Sequence, residues 1–265
     1  MAMETCSSVQ KSEPQEEWTQ VRRKSRRNAG SKAPQQQPKA PLRKPTTSGA
    51  TTRLSVSEIQ RDHERFSREW QESSCQRQLR DLIASRTGRP TTTVSQAVCL
   101  GIGSFDPEDG AWEVKRRAHI QLAAFLSIVG ELGHGGGGGA QQQQPPIRCY
   151  FQEPLFTLAD ETFIRGMGHE VLGSPSGFEV IDRDTFVFGV HLYRDVYGQA
   201  IAKCVPAIFV GTGLDVWEGY HGSEGLDWTT MEELDRQCDS VQFPEDEGHT
   251  TFSSTSIHWR KSEHI

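Results

Sequence analysis

The sequence predicts an α/β fold, a Rossmann-like three-layer sandwich with a mostly parallel sheet, preceded by a disordered basic head. Three observations predict it. From Thr93 onward, short apolar runs rich in Val, Ile, Phe and Cys alternate with amphipathic stretches. The intervals between successive runs suit helical crossovers, and parallel strands need crossovers of about a dozen residues or more. The first 50 residues, by contrast, hold scarcely any aliphatic side chains and cannot bury enough apolar surface to offset chain entropy.

The head comprises residues 1–52 and is made mostly of Pro, Gln, Ser, Lys and Arg. Its first 50 residues hold ten Lys and Arg against four Asp and Glu, whereas the whole chain holds 29 against 35 and has a net charge of -6. The remainder therefore carries 19 basic against 31 acidic side chains. An acidic body disfavours nonspecific attraction to phosphates, because each phosphate contact normally needs a Lys or Arg. Only the head offers such a feature, in Arg22, Arg23, Lys24, Arg26 and Arg27 behind the lone aromatic Trp18. That run is a candidate nuclear localisation signal, or a contact for nucleic acid or an acidic partner; the alternative is a plain solvated charge cluster.

Residues 53–90 form an N-terminal helical segment. Helix formers run from Ser57 to Ala84, Ser55 and Glu58 form a capping box, and Ile59, Phe66, Trp70, Leu79, Leu82 and Ile83 form a thin apolar stripe. A break is expected near Ser73-Ser74, and Gly88-Arg89-Pro90 ends the segment. The α/β domain occupies 91–265. Its expected strands are Val94 to Ile102, Ile147 to Phe151, Glu170 to Leu172, Thr185 to Val190, Val205 to Val210 and Thr251 to Trp259. Its expected helices run from Lys115 to Leu132, Leu158 to Met167 and Tyr193 to Lys203. A glycine-then-glutamine tract forms a loop insertion at 134–146. An acidic region at 213–249, with a single Arg236, is expected to hold one short helix around Met231 to Cys238 and to be otherwise solvated.

Several classes are excluded. With 24% charged residues, a mean hydropathy of -0.61 and no apolar run near the roughly 18 residues of a span, the chain reads as soluble, with no membrane segment. The six cysteines form no close pairs and the histidines show no metal-ligand spacing, which argues against a disulfide scaffold and a zinc site. No apolar stretch of signal-peptide length opens the chain, and apolar surroundings for several cysteines suggest a reducing compartment: cytoplasm and/or nucleus.

The candidate ligand site is assembled from strand carboxyl ends. Val98 to Phe105 is a strand entering a Gly101-Ile102-Gly103 turn, where glycine permits positive φ and close approach to a ligand. Asp106 stands where a third glycine would complete a dinucleotide fingerprint, and the next helix begins only after a loop, so a tight pyrophosphate site is not expected. Glu153, at the end of the second expected strand, is placed to hold ribose hydroxyls; the plainer reading is that it solvates or caps the turn. His191 follows the strand that begins at Thr185, on the same edge, and reads either as a ligand contact or as a helix-start residue. If Glu153 holds a ligand, Glu153→Gln is expected to weaken binding with little change in folding. Gly101, Gly103, Glu153 and His191 are thus candidate cofactor-binding residues for S-adenosylmethionine or a nucleotide. No nucleophile stands at a suitable elbow, and no catalytic residue is assigned.

The segments Cys99 to Phe105, Gln121-Leu122-Ala123, Glu153-Pro154-Leu155-Phe156, Gly168, Thr185 through His191, Tyr197 and Thr255 to Trp259 together resemble the SRR-like domain, named for Sensitivity to Red Light Reduced. The resemblance covers roughly residues 94–259, and the Trp18 and arginine-rich head is similar to that family's N-terminus. Departures are Glu153-Pro154 where the family has Asp-Pro, Val190-His191-Leu192 where it has Pro-His-Cys, and Thr212-Gly213 in place of Asn-Ser. The resemblance implies an intracellular regulatory protein acting through protein partners: circadian timing and light signalling in plants, cytoskeleton- or haem-related phenotypes in yeast. No enzymatic activity comes with it. The alternative reading of the same edge is a transferase using S-adenosylmethionine or a nucleotide.

Overall fold

The computed structural model describes residues 53–87, 93–134, 145–218 and 228–262. All described residues belong to one compact unit, Thr47–Ile265. The basic head, most of the glycine and glutamine insertion and part of the acidic region lie outside them.

Two helices open the unit, α1 (Val56–Glu72) and α2 (Ser74–Thr87). Ser55 caps α1 reciprocally with Glu58, and Ser73 interrupts the two helices with extended backbone, ψ 152°. Strand β1 (Gln96–Leu100) leads to α3 (Trp112–His134), then β2 (Arg148–Gln152), α4 (Leu158–Gly166) and the short β3 (Glu170–Val171). Gly168, at φ 86°, turns the chain out of α4. Next come α5 (Ser176–Glu179), β4 (Thr185–Phe188), α6 (Arg194–Ile201), β5 (Ile208–Thr212) and α7 (Leu214–Glu218). The last elements are α8 (Trp228–Gln237), β6 (Cys238–Gln242) and β7 (Thr255–Arg260).

The strands form one sheet in the order β3-β2-β1-β4-β5-β7-β6. Five are parallel in the 3-2-1-4-5 order of doubly wound folds, while β7 runs antiparallel between β5 and β6. Every residue of β1, β4 and β5 is buried, the burial expected of central strands covered on both faces. Alternate side chains enter two cores. Cys99, Phe151, Phe186, Phe188 and Val210 pack beneath α1 to α4. Val98, Leu100, Val187 and Phe209 pack beneath α6 and α8. This is the expected three-layer α/β sandwich, and α1 and α2 share the first of its cores rather than standing apart.

The acidic region corrects its expectation. It holds α7, α8 and the whole of β6, and Met231, Leu234, Phe243 and Asp246 are buried. Strand β6 escaped the sequence because Cys-Asp-Ser-Val-Gln lies at the sheet edge, where most of its side chains face solvent and no apolar run is needed. The late strand likewise begins at Thr255 rather than Thr251, because Thr251 and Phe252 belong to the turn entering it.

Candidate functional site

Parallel strands bring their carboxyl ends to one edge, and the order reverses between β1 and β4. A doubly wound sheet opens its ligand crevice at that point. Gly101 and Gly103 both adopt left-handed backbone there, at φ 67° and 83°. The turn is therefore built from the conformation that its glycines alone adopt without cost.

Glu153 does not stand free beside this turn. Its Oε2 accepts from the Gly103 amide at 2.8 Å and its Oε1 from the Leu155 amide at 2.8 Å, so one carboxylate ties the loop after β1 to the loop after β2. Burial pushes its carboxyl above the ordinary value, the two amides pull against that shift, and the nearby Asp160 charge adds to it. Asp160 is wholly buried and makes a second tie. It accepts from Ser104 Oγ at 2.6 Å and from the Thr157 amide at 2.9 Å, closing a capping box at the start of α4. Burial again raises its carboxyl, against the hydrogen bonds of Ser104 and Thr157. Sequence reasoning missed Asp160: Thr157-x-x-Asp160 has the spacing of a helix cap, but nothing along the chain marks Asp160 as the acceptor of Ser104 from another loop.

His191 has φ 55°, a strained conformation for a residue with a side chain. Its Nε2 donates to the Ser253 carbonyl at 2.8 Å, so its ring anchors the β4–α6 loop to the β6–β7 connection. Of the four candidates, Gly103 and Glu153 are in direct contact and Gly101 lies beside them in the same turn. His191 engages a different loop.

The residue after it decides the state of the crevice. A Cβ on Gly101 would lie 2.6 Å from Leu192 Cδ2, and one on Gly189 would lie 2.4 Å from Leu192 Cδ1. Leu192 thus occupies the space that glycine leaves above β1 and β4, and it is itself buried. One protein side chain thus lies against the glycines on both sides of the reversal point, while Gly101 itself stays exposed and a Cβ on Gly103 would meet nothing within 4 Å.

Glu153 and Asp160 serve as structural ties between these loops. Glu153 has the raised carboxyl of a proton donor or acceptor, but both oxygens are taken by backbone amides. Ser104 donates to Asp160 directly, and among the described residues no imidazole hydrogen-bonds its hydroxyl. No group of three or more His, Cys, Asp or Glu is arranged to hold a metal ion among the described residues.

A second cluster lies where α1 meets α2, beside a polar groove of about 410 Å³ whose lining includes Glu69, Arg116, Asp246 and His249. Arg116 holds Asp246 at 2.9 Å and Glu69 at 2.6 Å, and Thr251 Oγ1 donates to Asp246 at 2.6 Å. Sequence reasoning missed Arg116 and Asp246. The available signal was spacing: Arg116 stands four residues before Ile120 and seven before Ala123, on the inner face of α3.

The model of a family described as the SRR1 domain matches residues 73–259, a span that includes α2, the strands up to Trp259 of β7, and every site residue above except Glu69. No curated protein and no solved structure matches the chain.

Proposed function

We propose, because the chain belongs to the SRR1 domain family, that it acts in signalling or in clock- and transcription-linked regulation through protein contacts. Membership in the family points to regulation in general. The observation that carries the interaction reading is Leu192: its methyls lie against Gly101 and Gly189 at the reversal point, in space that a small molecule bound there would need. Glu153 supports the same reading, since both its oxygens serve backbone amides. The basic run Arg22, Arg23, Lys24, Arg26 and Arg27 is the proposed determinant of location, between cytoplasm and nucleus, or of an acidic or nucleic-acid contact. Replacing the five by Gln is expected to lower nuclear accumulation without changing the melting temperature.

The transferase reading rests on the two left-handed glycines and on an acidic residue at the end of β2, the positions that S-adenosylmethionine or a nucleotide would use. Thermal shift separates the two readings. A ligand at about 100 times its Kd stabilises the native state by roughly 2.7 kcal/mol. The interaction reading expects no shift with millimolar S-adenosylmethionine or ATP. A saturable rise in Tm with either, lost in Gly103→Val, would replace it with the transferase reading.

A further inference from the structure

Among the described residues, the large apolar side chains that stand exposed share one edge of the sheet. Trp112 and Val114 open α3 after β1, Leu155 and Leu158 follow β2, and Tyr193 follows β4. All five therefore sit on the carboxyl edge of three adjacent strands, β2, β1 and β4. Leu155, Leu158 and Tyr193 are 69%, 77% and 83% exposed. Scattered exposed apolar residues are ordinary, but their confinement to one edge is the mark of an interaction surface.

The charge of that edge selects the occupant. Glu108, Asp109, Glu113, Asp195, Glu245 and Glu247 are exposed in the loops and helix starts along it. Exposed Arg53, whose amide donates to Asp106, and half-buried Arg194 beside Tyr193 are cations of the same edge, but these six carboxylates outnumber them; Arg116 is buried and committed to Asp246 and Glu69, and Lys115 is paired with Asp62 at 3.0 Å. A carboxylate-lined apolar rim repels phosphates, so nucleic acid and anionic lipid surfaces are poor occupants. It complements a segment that presents apolar side chains between lysines or arginines.

We propose that the carboxyl edge of the sheet is a docking surface for a basic, apolar peptide segment of a protein partner, seated on Leu155, Leu158 and Tyr193 and flanked by the Glu108, Asp109 and Glu113 carboxylates. The proposal rests on the interaction reading and names the partner's chemistry. Leu192 is part of it, because its methyls lie against Gly101 and Gly189 at the ends of β1 and β4.

The test uses the full chain and fluorescence anisotropy with a labelled short peptide alternating Leu and Trp with Lys, beside its Glu counterpart. The Lys peptide is expected to bind, more weakly as salt rises, and the Glu peptide not to bind. Leu155→Ser with Leu158→Ser is expected to weaken binding about tenfold or more, because the apolar area that the peptide covers on both side chains is lost. Glu108→Lys with Asp109→Lys should weaken it, whereas the same charge change at the opposite edge and on α2, Asp184→Lys with Asp81→Lys, should not. All these side chains are exposed, so the variants are expected to keep the wild-type Tm, apart from a small drop where Asp109→Lys removes the acceptor of the Ala111 amide; Glu108→Lys alone, which breaks no such contact, should still weaken binding. No binding of the Lys peptide, an equal loss in both charge-reversal pairs, or indifference to the leucine changes would overturn the proposal. So would tighter binding of a single-stranded oligonucleotide than of the peptide. If S-adenosylmethionine or ATP raises Tm, the interaction reading itself falls; if neither does and the peptide fails to bind, only the partner class falls.

Discussion

Arg116→Met isolates the group that ties the β6–β7 connection to the helical layer. The Arg116 side chain is 4% exposed and Asp246 8%, so deleting the guanidinium leaves a buried carboxylate whose remaining hydrogen-bond donor is the Thr251 hydroxyl. Breaking such a buried pair by removing one partner costs about 3 to 5 kcal/mol, chiefly for the charge left behind. With an m-value of about 2 kcal/mol/M, the urea midpoint would fall by roughly 2 M. Glu69→Gln is the internal comparison: that carboxylate is 43% exposed, solvent screens it, and its loss should cost about 0 to 1 kcal/mol. Arg116→Met with Asp246→Asn should recover much of the loss, because no uncompensated charge remains. The pH dependence has a defined sign. Burial pushes the Asp246 carboxyl up, but hydrogen bonds from Arg116 and Thr251 and the Arg116 charge outweigh it and leave the folded value below the ordinary 3.8. Its contribution in the wild type is therefore present above pH 3.8 and lost as pH falls through the depressed folded value. Without Arg116 the sign reverses, protonation relieves the buried charge, and the gap between variant and wild type narrows in acid. Equilibrium urea unfolding followed by far-UV circular dichroism, near pH 7 and again near pH 4, measures both effects. An Arg116→Met loss no larger than that of Glu69→Gln would show that Asp246 is solvated and the pair is not the anchor described here.

Three further outcomes are expected. His119 and His258 are buried and His63 is half-buried, and desolvation lowers them from 6.5 to about 2, 4 and 4, so the fold accepts them as neutral rings and disfavours their protonation. The penalty is absent above pH 6.5 and grows as pH falls toward 4, so urea midpoints should drop over that window, and His119→Leu should flatten the drop. His119→Leu should also raise the midpoint at neutral pH, because neither ring nitrogen has a hydrogen-bond partner and the ring lies among Phe66 and Phe105. Glu153→Gln should destabilise the protein by about 1 to 3 kcal/mol in chemical denaturation, because an amide offers one acceptor oxygen where two backbone amides now find one each. The smaller effect expected from the sequence assumed a free carboxylate. Gly103→Ala should cost about 1 to 2 kcal/mol from φ 83° alone, since a Cβ there meets nothing within 4 Å. Gly101→Ala should cost more, and Leu192→Ala should relieve part of it, as thermal melts of the single and double variants would report.

The sequence alone determined what depends on neighbours along the chain. The capping of α1 by Ser55 and Glu58, the break at Ser73, the glycine turn after β1 and the order of the central strands are local or periodic signals. The charge division between head and body is likewise a property of composition. The positions of Gly101, Gly103, Glu153 and His191 at strand carboxyl ends followed from that order, and so did the edge they share. What each residue does there was decided by tertiary structure. Glu153 could be a ribose ligand or a loop tie, and only the arrival of the Gly103 amide, 50 residues away in sequence, distinguishes them. Leu192 could be any helix-start apolar residue until Gly101 and Gly189 are brought beneath it. Strand β6 is too polar to announce itself and exists because β7 offers it a ladder of hydrogen bonds. Arg116 and Asp246, 130 residues apart, tolerate burial only in each other's company. Local propensity fixes the backbone of an element, whereas the state of a buried polar group depends on partners that only the folded chain brings within hydrogen-bonding distance.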